Sequence, residues 1–532
     1  MYLTPPGSPV ASTSWSQSGL PWPEAPYIDQ RSYLLNGEIH QWAGACQAVE
    51  SPMRRPAPSG TDAPVPLGSL PSMDATASLA ALAAAVAAWN HGRGEWPCLT
   101  VSERIACVER LALLMTQKRA QVVDLIMWEI AKPQADCAKE FDRTLGYMRK
   151  TIAALKVMTD DNARVLAIEG TMGRMRRAPL GVVLCMGPYN CPLNETFTTL
   201  IPALLMGNTV VLKPPRIGAL CYEPLLAALR DAFPAGVVNT VYGDGQTVIP
   251  PLMKSGEIAV LALIGSSSVA DQLKKMPPKS NRLRAVLGLD AKNPAVVLAD
   301  ADMALAVREC LAGALSFNGQ RCTALKILFV HRSVAHAFTA RFVAAVNQLK
   351  IGMPWEEGVQ ITPLADPERL AWLKARLDEA QVRGAGIVNE GGGRSEGLLM
   401  TPAVLYPVST AMRICMEEQF GPVVPIVPFD DIATVIDCVV ASPFGQQLSL
   451  FGREAATLGL LARVFTGQVS RVNINAQCKR SPDEFPFTGR KDSAEGTLSV
   501  VDALRAFSIR SMVATPESEA GKALLASMLN DI

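Results

Sequence analysis

Histidine is scarce in this 532-residue chain: four copies stand against 50 Lys+Arg and 49 Asp+Glu. His40, His91, His331 and His336 lie apart from one another, and the last two follow an apolar, strand-like run where a surface role fits better than chemistry. With no histidine base in a recognisable setting, a Ser-His-Asp or Cys-His hydrolase is not expected. The 12 cysteines include no Cys-x-x-Cys pair. Zinc and disulfide frameworks therefore lack support, no metal is expected, and a reducing cytoplasm is the expected location. An excess of one charge is also missing. A net charge of +1 argues against nucleic acid or an acidic membrane held by bulk electrostatics. The longest uncharged apolar stretch, Ala75 to Trp89, is too short to span a bilayer and is expected as a buried helix. No charged segment followed by an apolar run opens the chain, so export is not expected.

What is present suits a large globular α/β protein: 49% hydrophobic and 19% charged residues, with length for roughly two or three domains. Met1 to Pro26 is rich in Pro, Ser and Gly and is expected as a disordered or extended tail; Met53 to Pro71 has the same character and is expected as a long loop. Tyr33 to Glu38 predicts a hairpin, with Asn36-Gly37 supplying positive φ at its turn. From Leu79 to Lys156 apolar residues recur at helical spacing. Strand-like runs at Gly181–Met186, Thr209–Leu212, Val237–Tyr242 and Ala259–Ile264 then alternate with helix-length segments after Pro192 and around Leu220 to Ala232. This alternation predicts βαβ units and a parallel sheet with ligands beyond the carboxyl ends of its strands. A second alternating block, Pro294 to Pro428 and on to Asn475, predicts a further α/β domain carrying Cys322.

Cys322 is the most informative residue. It follows Gly319-Gln320-Arg321 and precedes Thr323. A cysteine beside a guanidinium reads as an activated thiolate, because a neighbouring positive charge lowers the thiol pKa. The other reading is a small buried hydrophobe, which is how most free cysteines behave.

The rest of the chain supports the nucleophile. Gly187-Pro188-Tyr189-Asn190 with Pro192, Lys213-Pro214-Pro215, Gly265-Ser266, Gly319-Gln320-Arg321-Cys322, Glu418-Gln419-Phe420-Gly421-Pro422 and Phe485-Pro486-Phe487-Thr488-Gly489 occur in order. Together they resemble the aldehyde dehydrogenase superfamily over nearly the whole chain past the N-terminal tail. Pro214-Pro215, Arg321 before the cysteine, and Gln477-Lys479-Arg480 ahead of Phe485 are similar to its non-phosphorylating, NADP-dependent glyceraldehyde-3-phosphate dehydrogenase branch.

The resemblance implies an α/β aldehyde dehydrogenase-like fold with a Rossmann-type cofactor domain, an α/β catalytic domain and a bridging segment. It divides the chain into a tail (1–30), a dinucleotide-binding domain (31–160 and 181–290), a catalytic domain (291–490), an oligomerisation segment (161–180 and 491–514) and a C-terminal extension (515–532). It further implies a homodimer or homotetramer. Cys322 would attack the aldehyde carbon, while Asn190 and the Cys322 N–H stabilise the oxyanion; losing one such donor typically costs about 10²–10³ in rate. Lys213 would reach the adenosine ribose, Glu418 the nicotinamide ribose, Gly265 and Ser266 the pyrophosphate at a helix start, and Gly245 the adenine, with Phe420 beside the nicotinamide ribose. Arg216, where NAD-using branches carry glutamate, makes NADP the expected cofactor, with NAD as the other option. Arg143, Arg321 and Arg480 would surround the distal end of a small, phosphorylated aldehyde, a group that guanidinium forks bind bidentately.

The sequence also departs from the family. The glutamate of Glu-Leu-Gly-Gly-Lys, which activates water for thioester hydrolysis, is here Gly288 in Gly288-Leu289-Asp290-Ala291-Lys292. A positioned base is worth about 10²–10⁴-fold. The lysine usual on the helix after the Asn190-x-Pro192 segment falls at Thr199, and the closing glycine of Gly-Ser-x-x-x-Gly is Ala270. Three readings stay open: Glu195 replaces the base, coenzyme A accepts the acyl group, or the chain is a deacylation-impaired NADP-binding relative.

Overall fold

The computed structural model describes residues 22–55, 62–162 and 164–528. Two large sheets carry the architecture. The first is six-stranded, in the order Val238–Thr240, Thr209–Lys213, Val182–Met186, Ile258–Ile264, Arg284–Gly288 and Ala494–Glu495. All its pairings are parallel except that of the short edge strand Ala494–Glu495. Its strands read as continuous Val/Leu/Ile runs because helices cover both faces. From Val182–Met186 the chain moves outward through Thr209–Lys213 to Val238–Thr240, then returns to the other side with Ile258–Ile264. That reversal opens a crevice at the carboxyl ends of Val182–Met186 and Ile258–Ile264.

The second sheet has seven strands, in the order Gly386–Ile387, Ala403–Tyr406, Val423–Phe429, Leu325–His331, Asn293–Val297, Gln447–Phe451 and Arg471–Ile474. It is parallel apart from its first strand. A third, antiparallel sheet joins Val165–Ile168, Thr171–Pro179 and Ser508–Pro516.

The hairpin forms as expected, Ser32–Leu35 against Glu38–Gln41, with Asn36 and Gly37 at φ 50° and 81°. The helical block is Ala75–Trp89, Glu95–Cys98, Val101–Thr116, Arg119–Ile130 and Gln134–Asn162. Thr100 and Glu103 form a capping box at the third of these.

Four expectations need correction. The expected loop at Met53–Pro71 is mostly strand: Cys46–Arg55 pairs with Ala63–Pro71. Pro64 and Pro66 are tolerated because the third strand, Ile28–Asp29, meets Ala63–Pro71 only at Gly68 and Ser69, leaving the proline end open on one side. Ala75–Trp89 buries only the stripe Ser78, Ala81, Leu82 and Ala85; its alanines turn to solvent as easily as to the core. The segment around Leu220 to Ala232 is split into a 3₁₀ turn, Leu220–Leu225, and the helix Leu226–Ala232, with Pro224 at the break. Of the expected tail, 1–21 lie outside the described residues; Trp22 packs its ring 5.0 Å from Trp355. The C-terminal extension holds the helix Glu519–Ser527, and the strand before it runs on to Pro516, past the expected boundary at 514.

Candidate active site

The crevice widens into a cavity of about 570 Å³ lined from both large sheets. Arg143, Asn190, Glu195, Lys213, Arg216, Gly265, Ser266, Gly288, Arg321, Cys322, Glu418, Phe420 and Arg480 all face it. The fold thus gathers nearly every expected site residue in one place. Gly245 stands just outside this lining, at the start of helix Gly245–Lys254, where an added Cβ would come 4.0 Å from the Lys213 side chain.

Local backbone chemistry explains the placement of the nucleophile. The helix Met303–Leu315 ends in a tight turn in which Phe317, Asn318 and Gly319 take φ of 49°, 56° and 70°. Gly319 is required there, since a Cβ would meet the carbonyls of Ala314 and Gly421 at 2.8 Å. Asn318 locks the turn by exchanging hydrogen bonds with Thr362 at 2.8 and 3.0 Å. Cys322 emerges next, its carbonyl accepting from Asn293 Nδ2 at 2.8 Å.

Asn190 is held opposite by partners that its motif does not reveal. Its Nδ2 donates to Gln320 O at 2.9 Å, which leaves the second amide proton for a ligand. Buried Lys132 donates to the Asn190 carbonyl at 3.1 Å and pairs with Glu140 at 2.6 Å. The other Glu140 oxygen accepts the N–H groups of Leu193 and Asn194 at 3.0 and 3.1 Å, capping the helix Asn194–Leu205. Gly187 lets this segment lie close, because a Cβ there would overlap Thr196 Oγ1.

The charges differ from expectation at three points. First, Arg321 turns part of its guanidinium to the helix before it. Its Nη2 donates to the carbonyls of Ala312 and Gly313 at 3.2 and 2.8 Å, closing the C-terminus of the helix before it. Burial, followed by the Glu195 carboxylate, pushes the Cys322 thiol above its ordinary pKa, while Lys326 and Arg480 pull it down. Second, Glu418 is in close ion pair with Lys326, a fully buried lysine that the sequence reading missed; burial lowers that lysine's pKa well below the usual range. Third, the amide of Ser267 at the start of helix Ser267–Lys274 is taken by Asp290 at 2.8 Å, and that of Val269 by Ser266 Oγ at 3.4 Å. A pyrophosphate there competes with a carboxylate that already occupies a helix N-terminus.

Lys213 is buried with one protein partner, Pro214 O at 3.1 Å, and burial lowers its pKa to about 8. A buried amine with a single carbonyl partner at the cavity wall has donors to spare for a bound ribose. Arg216 is exposed and 3.7 Å from Asp366, a loose pair that leaves its fork available. Phe420 holds φ 41° with its ring 5.9 Å from Tyr189. Arg143 donates to Asp483 at 2.8 Å, and Arg480 pairs closely with Glu195. Gly288 lies at the end of its strand. An added Cβ there would meet only Ile264 and Leu498 side chains, at 3.6 and 3.9 Å, in ordinary contact.

Comparison with known proteins agrees with this geometry. Residues 55–513 match the model of the aldehyde dehydrogenase family. The chain belongs to that family. It is 31% identical over 445 residues to an NADP-dependent glyceraldehyde-3-phosphate dehydrogenase of Streptococcus equinus, covering 83% of this chain and 91% of that protein. The enzyme of the same name from Pisum sativum is 30% identical over 418 residues, 77% of this chain and 82% of the relative. Among solved structures, an NADP-dependent glyceraldehyde-3-phosphate dehydrogenase from Bacillus halodurans C-125, complexed with NADP, superposes with a TM-score of 0.83 at 30% identity, covering 92% of this chain and 99% of the other.

Proposed function

We propose that this aldehyde dehydrogenase uses NADP to oxidise a small, phosphorylated aldehyde of the glyceraldehyde 3-phosphate kind to its acid, through a Cys322 thioester that Glu195 helps to hydrolyse. The observation that carries this reading is a single cavity that holds Cys322, Asn190, Glu195 and five arginines, Arg143, Arg321 and Arg480 among them, beside a lysine suited to a ribose. The names of the relatives support both cofactor and substrate.

In this scheme the Cys322 thiolate bonds to the aldehyde carbon and the carbonyl electron pair moves to oxygen. The free Asn190 amide proton and the Cys322 N–H receive that oxyanion. Lys213 and Glu418 would hold the ribose hydroxyls and Arg216 the 2′-phosphate, consistent with its exposed fork. NADP⁺, when bound, supplies the hydride acceptor that turns the thiohemiacetal into a thioester. For hydrolysis, a water gives its proton to Glu195, its oxygen bonds to the thioester carbon, and the C–S bond breaks to return the thiolate. Glu195 is favoured for this step because it is the carboxylate with the largest effect on the Cys322 thiol.

Assembly as a dimer or tetramer through Val165–Ile168, Thr171–Pro179 and Ser508–Pro516 is part of the same proposal, and exposed Leu166, Ile168 and Met512 on these strands favour it. Among the described residues no helix is long and apolar enough to cross a membrane.

Stopped-flow NADPH formation from glyceraldehyde 3-phosphate, beside Cys322→Ala, tests the chemistry. Sustained turnover that vanishes in the variant is expected. A burst near one NADPH per subunit that then stops, and resumes only with coenzyme A, would replace water by a thiol as acyl acceptor. A burst that no acceptor relieves would mark an impaired enzyme.

A further inference from the structure

Each nitrogen of Arg480 already faces a partner. Its Nη1 is paired with Glu195 Oε2, its Nε lies 3.8 Å from Asp483, its Nη2 donates to Leu498 O at 3.4 Å, and its plane sits 4.6 Å from the Phe487 ring. A distal phosphate that takes this guanidinium as a bidentate partner competes with the two carboxylates for it. Asp483 has a second cation, Arg143, at 2.8 Å. Among the described residues Glu195 has no second ion pair, and Arg143 acts on it only from farther off; its other oxygen accepts from Asn194 Nδ2, at 3.5 Å. Glu195 is therefore the partner that yields.

We infer that Arg480 exchanges between Glu195 in the free enzyme and the distal anion of the bound acyl group, so that the substrate's own phosphate unmasks the carboxylate that deacylates it. Arg480 is here a substrate-binding residue whose effect on hydrolysis runs through Glu195. The inference rests on the thioester reading above and adds to it a condition: attack and hydride transfer proceed without the anion, whereas hydrolysis waits for it. While Arg480 is paired with Oε2, the guanidinium crowds the carboxylate and offsets the negative charge that would draw the water proton. Once the guanidinium turns to the phosphate, that pairing is gone, and a nearby dianion further favours proton uptake by a carboxylate. The water proton then goes to Glu195, the hydroxide oxygen bonds to the acyl carbon, and the Cys322–acyl bond breaks.

The test separates the anion from the aldehyde. D-Glyceraldehyde and NADP⁺ are mixed with the enzyme in stopped flow, with and without inorganic phosphite. A burst near one NADPH per subunit, then a slow phase, is expected without phosphite. Phosphite should accelerate the slow phase saturably, by about tenfold or more given what a positioned base contributes, and leave the burst unchanged. Glu195→Gln should keep the burst and lose the acceleration. Arg480→Gln should show a fast second phase that ignores phosphite, an outcome that a merely structural arginine would not give. Should Arg480→Gln not fold, the wild-type phosphite titration decides alone. A second phase with glyceraldehyde indifferent to phosphite, beside steady turnover of glyceraldehyde 3-phosphate, overturns the exchange and leaves the thioester reading standing. No burst with either aldehyde removes both.

Discussion

Gly288→Glu restores a carboxylate where the family's base stands, and the structure lets its effect be reasoned through. The position ends the strand Arg284–Gly288, lines the cavity beside Cys322, and needs no positive φ. An added Cβ reaches Ile264 at 3.6 Å and Leu498 at 3.9 Å, so the first carbon of the new side chain fits without backbone movement. A positioned base contributes about 10²–10⁴-fold, or roughly 3–5 kcal/mol at about 1.4 kcal/mol per tenfold. Part of that is lost, because the new carboxylate passes two apolar side chains and has no cation of its own. The expected gain in the post-burst rate with D-glyceraldehyde is therefore about tenfold to a hundredfold, toward the low end of that range. Crucially, this gain should need no phosphite, since a carboxylate at 288 is not masked by Arg480. The assay is stopped-flow NADPH formation followed by intact-mass measurement of the acyl-enzyme during the slow phase. A variant that keeps its burst and binds NADP⁺ normally, yet leaves the acyl-enzyme lifetime unchanged, would refute deacylation as the step that Gly288 slows.

Three further outcomes are expected. Burial raises the Cys322 thiol pKa, so its alkylation by iodoacetamide, followed on the Cys322 peptide by mass spectrometry, should keep accelerating from pH 7 through 9, because the reactive thiolate gains population only as pH rises through the raised pKa; a plateau below pH 8 would contradict this. Asp290→Asn should tighten NADP⁺ by several-fold, about 1 kcal/mol, by removing a negative charge from a helix N-terminus where the pyrophosphate is proposed to sit, and fluorescence titration would show it; unchanged affinity would place the pyrophosphate elsewhere. Glu140→Gln leaves Lys132 buried without its counter-charge and weakens the cap on Asn194–Leu205. Breaking a buried pair in this way costs about 3–5 kcal/mol, which denaturant unfolding should register as a lowered midpoint.

The chain's local signals determined much of this protein. Parallel strands announced themselves as apolar runs closed by Gly187-Pro188 or Lys213-Pro214, and the sharp turn before Cys322 by Gly319, because such features depend on neighbours a few residues away. The missing carboxylate at Gly288 was legible for the same reason, as a gap in a contiguous motif. The strand Ala63–Pro71 was not, since its prolines forbid a generic strand and are tolerated only where Ile28–Asp29 stops short of them.

Tertiary structure alone decided the electrostatics. Arg480 meets Glu195 across 285 positions, Arg143 meets Asp483 across 340, and Lys326 meets Glu418 across 92. Arg321, adjacent to the nucleophile in sequence, spends its guanidinium on helix carbonyls instead. Adjacency in sequence fixes which residues share a turn. Which charges share a cavity is set by how the two sheets close on each other, and burial then determines how strongly those charges act.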